Sequence, residues 1–406
     1  MRIALLFRSF GPYHIARLRA AREKASILAL EFIDSDHEYR WAIPDEKRAS
    51  EIISLSTSEP NNFVGRFGNS MPGRVNARRK MKLETELHKF APDAVAIPGY
   101  SESFSLLTAR LCKKLGIPAI LMSDSHDLGQ RRHPLKEAMK RRIIRLFDAA
   151  FVAGAPHADY LVRLGFPHRK ITTGYDVIDN LHFAPNAEAT DRPTTFNLPD
   201  RFFFCCSRFV EGKNLQFLID AFHRYKRQAG PLAWDLVIAG DGPLYTPLLR
   251  HVQRLSLCHN VHMIGHKSYD ELPHLYATAG AFVFPSLSET WGLVVNEAMA
   301  AGLPLLISNV IGCQHDLVRN GVNGYLFDPN DMTQLAALMA RVAENSERGT
   351  MGEASRIIIR HWDLDRFAAG LFDAASIAAK SRGEPRARGA TGLALTLAYW
   401  AQMPAS

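Results

Sequence analysis

The sequence predicts an α/β protein made of two doubly wound domains that face each other across a cleft. Short apolar runs alternate with longer amphipathic stretches, which is the pattern of βα units around a buried parallel sheet. This rhythm begins again at Phe202, after residues 180–199, where three prolines accompany little apolar periodicity. The length of 406 residues also suits two or three domains of roughly 150 residues each.

The bounds of the predicted strands and helices are set by the residues at which each pattern begins and ends. Apolar runs bounded by turn residues predict strands at 3–7, 27–33, 94–97, 119–122, 149–152, 202–206, 234–239, 261–264, 281–284 and 304–308. Amphipathic periodicity predicts helices at 14–24, 103–115, 135–146, 214–227, 244–255, 269–277, 292–301 and 332–345. The opening run is too short for a signal peptide and is interpreted as a strand.

Composition and charge limit the class of protein. Apolar residues make up 47% of the chain and charged residues 22%, as in packed globular proteins, so disorder of the whole chain is excluded. The net charge of +8 favours an anionic partner, whether nucleic acid, acidic membrane or phosphorylated ligand. Five cysteines without metal-type spacing favour reduced thiols and a cytoplasmic location. No apolar run approaches the ~20 residues of a membrane span.

Ligands of doubly wound sheets bind beyond the carboxyl ends of the strands, so the loops after strands are the candidates for chemistry. The loop after 202–206 carries Arg208 and Lys213 just before a helix. Two cations beside a helix N-terminus suit a diphosphate, because the helix dipole and free amides add to their charge. Solvated surface charge is the commoner role of an isolated pair of this kind.

Two further loops contain glycines. Gly240 and Gly242 follow the strand at 234–239 and would let a ligand approach the backbone closely, although a plain tight turn is the likelier alternative for so short a motif. Gly321 and Gly324 accompany Asn-Gly pairs that indicate a hairpin-like turn.

The loop after 281–284 carries the most informative motif. Glu289 precedes a predicted helix and Glu297 lies within it. The amides of Gly292, Leu293 and Val294 are first-turn donors without helical partners, so they can bind an anion. Alternatively, Glu289 caps the helix dipole and Glu297 is solvated.

Taken in order and spacing, these motifs resemble glycosyltransferase family 4, the retaining enzymes of the GT-B fold, of the kind that makes bacterial polysaccharides and glycolipids. The resemblance covers about half of the chain. It rests on Arg208 with Lys213, Gly240 with Gly242, Glu289 with Glu297, and Gly321 with Gly324.

The resemblance implies a domain arrangement. Residues 1–180 would form a Rossmann-like acceptor domain, 181–200 a linker, and 201–360 a Rossmann-like domain for the nucleotide-sugar donor. Residues 361–380 would form a helix that packs back on the first domain, and 381–406 a tail. The implied reaction moves a hexose-type sugar from a nucleotide-diphosphate sugar to a hydroxyl of a glycan or polyprenyl-linked acceptor, with no cofactor.

The resemblance also implies roles for single residues. Arg208 and Lys213 would neutralise the donor diphosphate, and Glu289 would hold hydroxyls of the transferred sugar. The amides of Gly292, Leu293 and Val294 would bind the distal phosphate of the donor, and Glu297 would bind its ribose. The nucleobase would lie near Gly265 and His266. The loop with Gly240 and Gly242 would also contact the donor.

The first half supplies the opposite side of the cleft. Gly11 takes the place of the family's glycine-rich loop, although Pro12 follows it where a second glycine is usual. His126 lies in the loop after 119–122 between Asp124 and Asp127, and the resemblance makes it a candidate to bind a sugar hydroxyl at the reaction centre. An isolated histidine is more often structural. His14 is interpreted either as an acceptor contact or as a residue that starts its helix.

Two segments of the first half have less specific patterns. Gly154 and residues 174–183 occupy the family's domain junction in a variant form and are interpreted as the cleft floor or hinge. The basic stretch from Lys136 to Arg145 can form a helix with one cationic face. Such a face would rest on anionic lipid at the inner side of the plasma membrane, or would simply be solvated.

A same-face substitution is expected, because no carboxylate in the loops after strands has an evident nucleophile position. Asp34 and Asp36 mimic a metal-binding Asp-x-Asp, but they follow an early strand far from the donor motifs, so metal independence is expected. Three rival classes remain: a nucleotide-sugar epimerase, a dinucleotide-dependent oxidoreductase and a nucleic-acid-binding protein. The oxidoreductase lacks Gly-x-Gly-x-x-Gly after its first strand, and no nucleic-acid-binding motif is present.

Overall fold

The computed structural model describes residues 1–32, 50–56, 72–129, 132–185, 198–344 and 348–382, with side chains from residue 76 onward in the third of these ranges. They form two parallel sheets. The first contains seven strands in the order β3-β2-β1-β4-β5-β6-β7. Its strands are β1 (Arg2–Phe7), β2 (Ser26–Glu31), β3 (Ile53–Ser54), β4 (Ala94–Pro98), β5 (Ala119–Ser123), β6 (Ala149–Val152) and β7 (Ile171–Thr173).

The second sheet contains six strands in the order β10-β9-β8-β11-β12-β13. They are β8 (Phe202–Cys206), β9 (Asp235–Ala239), β10 (Val261–Met263), β11 (Ala281–Phe284), β12 (Leu305–Ser308) and β13 (Gly324–Phe327). In both sheets the strand order reverses beside the first strand of the half, between β1 and β4 and between β8 and β11. Loops that diverge at such a point leave a crevice at the carboxyl edge.

Helices cover both faces of the sheets. They are α1 (Pro12–Lys24), α2 (Pro72–Phe90), α3 (Ser103–Leu115), α4 (Pro134–Ile143), α5 (Ala155–Arg163), α6 (Asn180–Phe183), α7 (Leu215–Ala229), α8 (Tyr245–Arg254), α9 (Leu272–Thr278), α10 (Leu293–Ala300), α11 (Gln314–Leu317), α12 (Met332–Glu344), α13 (Arg348–Ile359) and α14 (Leu364–Lys380). The two Rossmann-like parallel-sheet domains predicted from the sequence are therefore confirmed.

The last helix lies against the first sheet rather than the second. The Gly370 carbonyl of α14 accepts a hydrogen bond of 2.9 Å from the Thr172 hydroxyl on β7. The ring of Phe367 lies 5.2 Å from that of Phe151 on β6. Glycine is required at 370, because an added Cβ would lie 2.6 Å from the Phe151 ring and 2.7 Å from the Thr173 carbonyl. The chain thus passes from the second sheet back to the first just before α14.

The turn expected around Gly321 and Gly324 occupies residues 321–323. Gly324 begins strand β13, which the sequence did not predict and which pairs in parallel with β12. Asn323 is fully buried, and its side chain donates to the Leu317 carbonyl and accepts from the Arg319 amide. Glycine is required at 324, because an added Cβ would lie 2.2 Å from the Leu305 carbonyl. This loop therefore closes the edge of the sheet.

Several predicted features lie outside the described residues. They are Asp34 and Asp36, most of the expected linker, and the tail beyond residue 382.

Candidate functional site

Glu289 and Lys213 meet at the point where the strand order of the second sheet reverses. Glu289 lies in the loop between β11 and α10, and Lys213 ends a short 3-10 turn, Glu211–Lys213, that precedes α7. The Lys213 ammonium forms an ion pair with Oε2 of Glu289, and both side chains are largely buried. A cation and a carboxylate are thus adjacent at the carboxyl edge.

The backbone fixes this pair in place. The Leu287 amide donates a hydrogen bond of 2.9 Å to the Gly212 carbonyl, which joins the two loops. The Lys213 ammonium also lies 5.3 Å from the centre of the Phe284 ring at the end of β11. A desolvated cation over an aromatic face is attracted to its negative quadrupole, so Phe284 stabilises the buried lysine.

The helix that follows Glu289 begins without a side-chain cap. Gly292 has φ +99°, in the left-handed region, and an added Cβ would lie 3.3 Å from Ile311 and 3.4 Å from the Glu289 side chain. Leu293 and Val294 open α10 and are partly exposed. First-turn amides have no acceptor within their own helix, so the amides of Gly292, Leu293 and Val294 keep the capacity to bind an anion that the sequence predicted.

The predicted glycine loop packs against the loop after β8. An added Cβ at Gly240 would lie 1.8 Å from the Ser207 carbonyl, and one at Gly242 would lie 2.7 Å from the Phe209 carbonyl. These glycines let the loops after β8 and β9 pack together, so they are accounted for without close approach of a ligand. The Gly240 amide donates to the Gly265 carbonyl at 2.8 Å, which adds the loop after β10.

Arg208 and His266 are both exposed on these packed loops. Arg208 lies in the segment after β8 that also carries Lys213, and His266 follows Gly265 after β10. The edge therefore presents, in order of the strands, one solvent-facing imidazole, one solvent-facing guanidinium and the buried Lys213–Glu289 pair.

Glu297 differs from its predicted surroundings. It is fully buried on α10, and both carboxylate oxygens accept hydrogen bonds from tyrosine hydroxyls. Tyr276 of α9 donates at 2.7 Å, and Tyr13 of α1 donates at 2.5 Å from the other side of the cleft. Burial raises the pKa of the Glu297 carboxyl, and the two tyrosine hydrogen bonds oppose that shift. In this arrangement a ribose reaches Glu297 only if Tyr13 moves away.

Gly11 starts α1 next to Tyr13. Its amide donates a hydrogen bond of 3.3 Å to Nδ1 of His14, and the His14 ring lies 4.4 Å from that of Phe7. His14 therefore has a structural role at the helix start, as one of its two interpretations proposed. The amide of Phe10, the residue before Gly11, donates a hydrogen bond of 3.2 Å to Oε2 of the buried Glu31.

His126 is 3% exposed and contacts the backbone of the Glu289 loop instead of an open sugar position. Its Nε2 lies 2.7 Å from the Glu289 carbonyl, and its Nδ1 lies 3.0 Å from the Leu128 amide. Both ring nitrogens have partners, so in this closed arrangement His126 is not available to bind a sugar hydroxyl. Asp127 beside it is held by Arg163 of α5, at 2.5 and 3.1 Å.

A second histidine, which the sequence did not single out, completes this contact. His157 of α5 is fully buried, and its Nε2 lies 2.9 Å from the Thr290 carbonyl. Its ring lies 5.3 Å from that of His126, with the two planes perpendicular. The only signal in the sequence is the position of His157 three residues after Gly154, which had been assigned to the domain junction.

The junction segment forms the cleft floor with α1. The Arg17 guanidinium, 2% exposed, donates to the Val177 carbonyl at 2.8 and 2.9 Å and pairs with Asp176 at 3.3 Å. Burial raises the pKa of Asp176 to about 7, although Arg17 opposes that shift. The Asn296 amide of α10 donates to the Asp176 carbonyl at 3.4 Å, so this floor also touches the second domain.

The basic stretch forms α4 and the turn after it, but its cations divide into two groups. Lys136, Arg141, Arg142 and Arg145 are exposed. Lys140 is 7% exposed and donates to Glu137 at 2.9 Å and to the Tyr160 hydroxyl at 2.6 Å. Lys140 therefore anchors the helix and does not belong to the predicted cationic face.

Comparison with known proteins assigns the class. Residues 186–357 match the profile of the family "glycosyl transferases group 1". Glycogen synthase of Mycobacterium tuberculosis is 37% identical over 315 residues, which cover 74% of this chain and 73% of the relative. The GDP-mannose-dependent alpha-(1-6)-phosphatidylinositol monomannoside mannosyltransferase of the same organism is 27% identical over 288 residues, covering 68% of this chain and 74% of the relative.

A solved structure is similar over nearly the whole length. The HepE protein of Anabaena, in complex with UDP and glucose, superimposes with a TM-score of 0.72 at 17% identity, covering 93% of this chain and 99% of that chain. Three other curated relatives are matched over 44%, 17% and 49% of their own length, so the chain spans less than half of each.

The two parallel-sheet domains have the GT-B fold of the glycosyltransferases. The chain belongs to the group 1 family of glycosyl transferases. Among the residues that the structure describes, no helix is both long and apolar enough to cross a membrane.

Proposed function

We propose that this protein is a retaining, metal-independent transferase of glycosyltransferase family 4. It would move a hexose from a nucleotide-diphosphate sugar to a hydroxyl of a glycan or polyprenyl-linked acceptor in cell-surface polysaccharide assembly. The observation that carries this proposal is the Lys213–Glu289 pair at the strand-order reversal of the second sheet, beside the uncapped start of α10. It supplies a phosphate-binding cation and a hydroxyl-binding carboxylate in one place.

The leaving group needs the largest stabilisation. As the glycosidic bond breaks, negative charge develops on the distal phosphate of the nucleoside diphosphate. Lys213, Arg208 and the first-turn amides of α10 would bind that charge without reorganising, which is how fixed donors lower a barrier. Lys213 is released from Glu289 when the phosphate takes over its charge.

Glu289 would then turn to the sugar. A carboxylate accepts hydrogen bonds from two neighbouring hydroxyl groups, so it fixes the ring over the diphosphate. The acceptor hydroxyl would attack from the side of the departing phosphate and give that phosphate its proton. The anomeric configuration is retained in such a same-face substitution.

Two relatives support a nucleotide donor and differ in its base. HepE was solved with UDP and glucose, and the mannosyltransferase is named as GDP-mannose-dependent. The exposed cations of α4 support an acceptor or a peripheral site on an anionic membrane at the cytoplasmic face, because each basic residue near such a surface contributes about 1 kcal/mol.

A thermal-shift screen of uridine, guanosine and adenosine diphosphate sugars tests the donor, since a ligand that binds only the native state raises its melting temperature. The stabilising donor is then incubated with polyprenyl-linked glycans, with and without a chelator, and the product's anomeric configuration is read by NMR. Transfer with retention, insensitive to chelator, is expected. Inversion, or conversion of the donor to its epimer without any acceptor, would overturn the proposal.

A further inference from the structure

The backbone of the Glu289 loop is held by two histidines from the opposite domain. Nε2 of His126 lies 2.7 Å from the Glu289 carbonyl, and Nε2 of His157 lies 2.9 Å from the next carbonyl, that of Thr290. These histidines come from the loop after β5 and from α5, both of the first domain. Two successive carbonyl groups of the loop therefore form hydrogen bonds with the first domain across the cleft.

The hydrogen-bond partners determine the tautomer of each ring. Nδ1 of His126 faces the Leu128 amide at 3.0 Å, and Nδ1 of His157 faces the Gly154 amide at 3.2 Å. An amide only donates, so each Nδ1 must be an unprotonated acceptor. A carbonyl only accepts, so each Nε2 must carry the proton. Both rings are therefore neutral, and both donate to the loop.

The region around His157 is built for close approach. An added Cβ at Gly154 would lie 2.2 Å from the Asp316 carboxylate and 2.8 Å from the Trp291 ring. That carboxylate accepts from the Ala155 amide, at the start of α5, at 3.0 Å. Trp291, the residue after Thr290, also lies against the His157 ring, with 5.6 Å between ring centres. The start of α5 thus docks on the loop through backbone, charge and ring contacts together.

The far side of the same loop is fixed by its own domain. The Gly312 amide donates to the Glu289 carbonyl at 3.1 Å, so this carbonyl accepts from both domains. An added Cβ at Gly312 would lie 1.8 Å from the Thr290 carbonyl and 3.0 Å from the His126 ring. The Thr290 carbonyl accepts its hydrogen bond from His157 of the first domain.

We propose that His157 is a positioning residue for Glu289: when the cleft closes, its Nε2–H fixes the Thr290 peptide and so aims the preceding carboxylate at the transferred sugar. This role rests on the proposed function of Glu289. With this role, the carboxylate of Glu289 would be correctly oriented for the sugar only in the closed enzyme. An open enzyme would bind nucleotide but hold the sugar poorly, which limits loss of the sugar to water.

The role predicts a separation between binding and turnover. Lys213, Arg208 and the start of α10 belong to the second domain, so the nucleoside diphosphate does not need His157. A displacement of about 1 Å at a reacting group can lower the rate about 100-fold. His157→Leu should therefore reduce kcat by roughly 10- to 100-fold and leave the Kd of the nucleoside diphosphate within about twofold.

The conservative variant is His157→Gln, whose side-chain amide can still donate to the Thr290 carbonyl. It should recover most of the turnover that His157→Leu loses. His168→Leu is the matched control, because His168 is exposed and lies in the short turn before β7 of the same domain. Melting temperatures of all three variants check that the fold persists.

A second readout does not depend on catalysis. Hydrogen exchange at the amides of Glu289, Thr290 and Trp291 should accelerate in His157→Leu and stay near wild type in His157→Gln and His168→Leu. Equal kcat in wild type and His157→Leu, equal losses in the leucine and glutamine variants, or unchanged exchange would each overturn the positioning role. Wild-type protein without transferase activity, but with the expected exchange pattern, would overturn the proposed function instead.

Discussion

The hydroxyl of Tyr13 lies 2.5 Å from Oε1 of Glu297, although the two residues are 284 positions apart and belong to opposite domains. Tyr13 follows the loop expected to face the donor phosphates, and Glu297 is the residue expected to hold the ribose. The hydrogen bond therefore occupies the carboxylate oxygen that the donor would use. Under the proposed function, the Tyr13 hydroxyl and a ribose hydroxyl would compete for the same carboxylate oxygen.

Tyr13→Phe should strengthen nucleoside diphosphate binding. Removing the hydroxyl leaves one oxygen of the buried Glu297 without its donor, and a ribose hydroxyl can take that place. A hydrogen bond of this kind contributes about 1 kcal/mol net, so the Kd should fall roughly fivefold. Isothermal titration calorimetry measures it.

Two comparisons make this prediction specific to Tyr13. A 2′,3′-dideoxy nucleoside diphosphate should show no gain with Tyr13→Phe, because it has no hydroxyl to donate. Tyr276→Phe, at the other oxygen of Glu297, should not improve binding, since Tyr276 lies in the donor domain itself. An unchanged Kd in Tyr13→Phe would mean that the ribose does not use this carboxylate.

Glu289→Ala should abolish most transfer while the nucleoside diphosphate still binds. Loss of one preorganised polar group at a reaction centre costs about 100- to 1,000-fold in turnover. Lys213 loses its intramolecular partner in this variant, so the diphosphate should bind as well as in wild type or better. Initial rates and calorimetry measure both, with Glu353→Ala as an exposed control. Turnover at the wild-type rate would exclude Glu289 from the sugar site.

Lys213→Ala should weaken the binding of the nucleoside diphosphate itself. A hydrogen bond to a charged group contributes about 1.5–3 kcal/mol, which corresponds to roughly 10- to 100-fold in Kd. The matched control is Lys226→Ala, on α7, whose ammonium lies 3.8 Å from Asp235 and faces away from the site. Affinity equal to wild type in Lys213→Ala would contradict the phosphate role.

The stability difference between wild type and His157→Gln should depend on pH. Burial lowers the pKa of His157 from its ordinary 6.5 to about 4. Between these values the unfolded chain binds a proton at this residue and the folded chain does not. Wild-type stability therefore falls, relative to the variant, as the pH drops from about 6.5 to about 4, by at most roughly 1.4 kcal/mol per pH unit.

Denaturant unfolding at several pH values measures this difference. The lowered pKa of His126 acts in the same direction, and the raised pKa of Asp176 acts in the opposite one, but both groups are present in both proteins. Their contributions cancel to first order in the comparison. A difference that stays constant over this pH range would contradict the neutral, buried state of His157.

Reversing two charges on α4 should weaken binding to anionic vesicles. Arg141 and Arg142 are exposed, so the double change to glutamate removes two favourable cations and adds two repulsive anions. At about 1 kcal/mol per cation near the surface, partition should fall at least roughly tenfold. Sedimentation with phosphatidylserine vesicles measures it, and neutral vesicles are the blank. The control reverses the charges of Arg224 and Arg227 on α7. An equal loss of binding in that control would show that the net charge of the protein, and not the α4 face, determines the partition.

The sequence by itself determined the domain plan and most of the chemistry-bearing loops. A buried parallel strand needs a short apolar run, and a surface helix needs an apolar stripe, so both patterns can be read locally. Strands β6 and β8 and helix α3 begin and end where those patterns do. Glu289 and Lys213 could be singled out because the loops after strands must converge at the carboxyl edge.

Only the tertiary structure decided what these residues touch. Strand β13 is four residues long and depends on its partner β12 more than on its own sequence. The sequence around Gly240 and Gly242 would be the same whether a ligand or a neighbouring loop lies against these glycines. The hydrogen bonds from His157 to the Thr290 carbonyl and from Tyr13 to Glu297 join positions 133 and 284 residues apart. Local patterns record burial and periodicity, whereas such contacts arise from the relative placement of two domains.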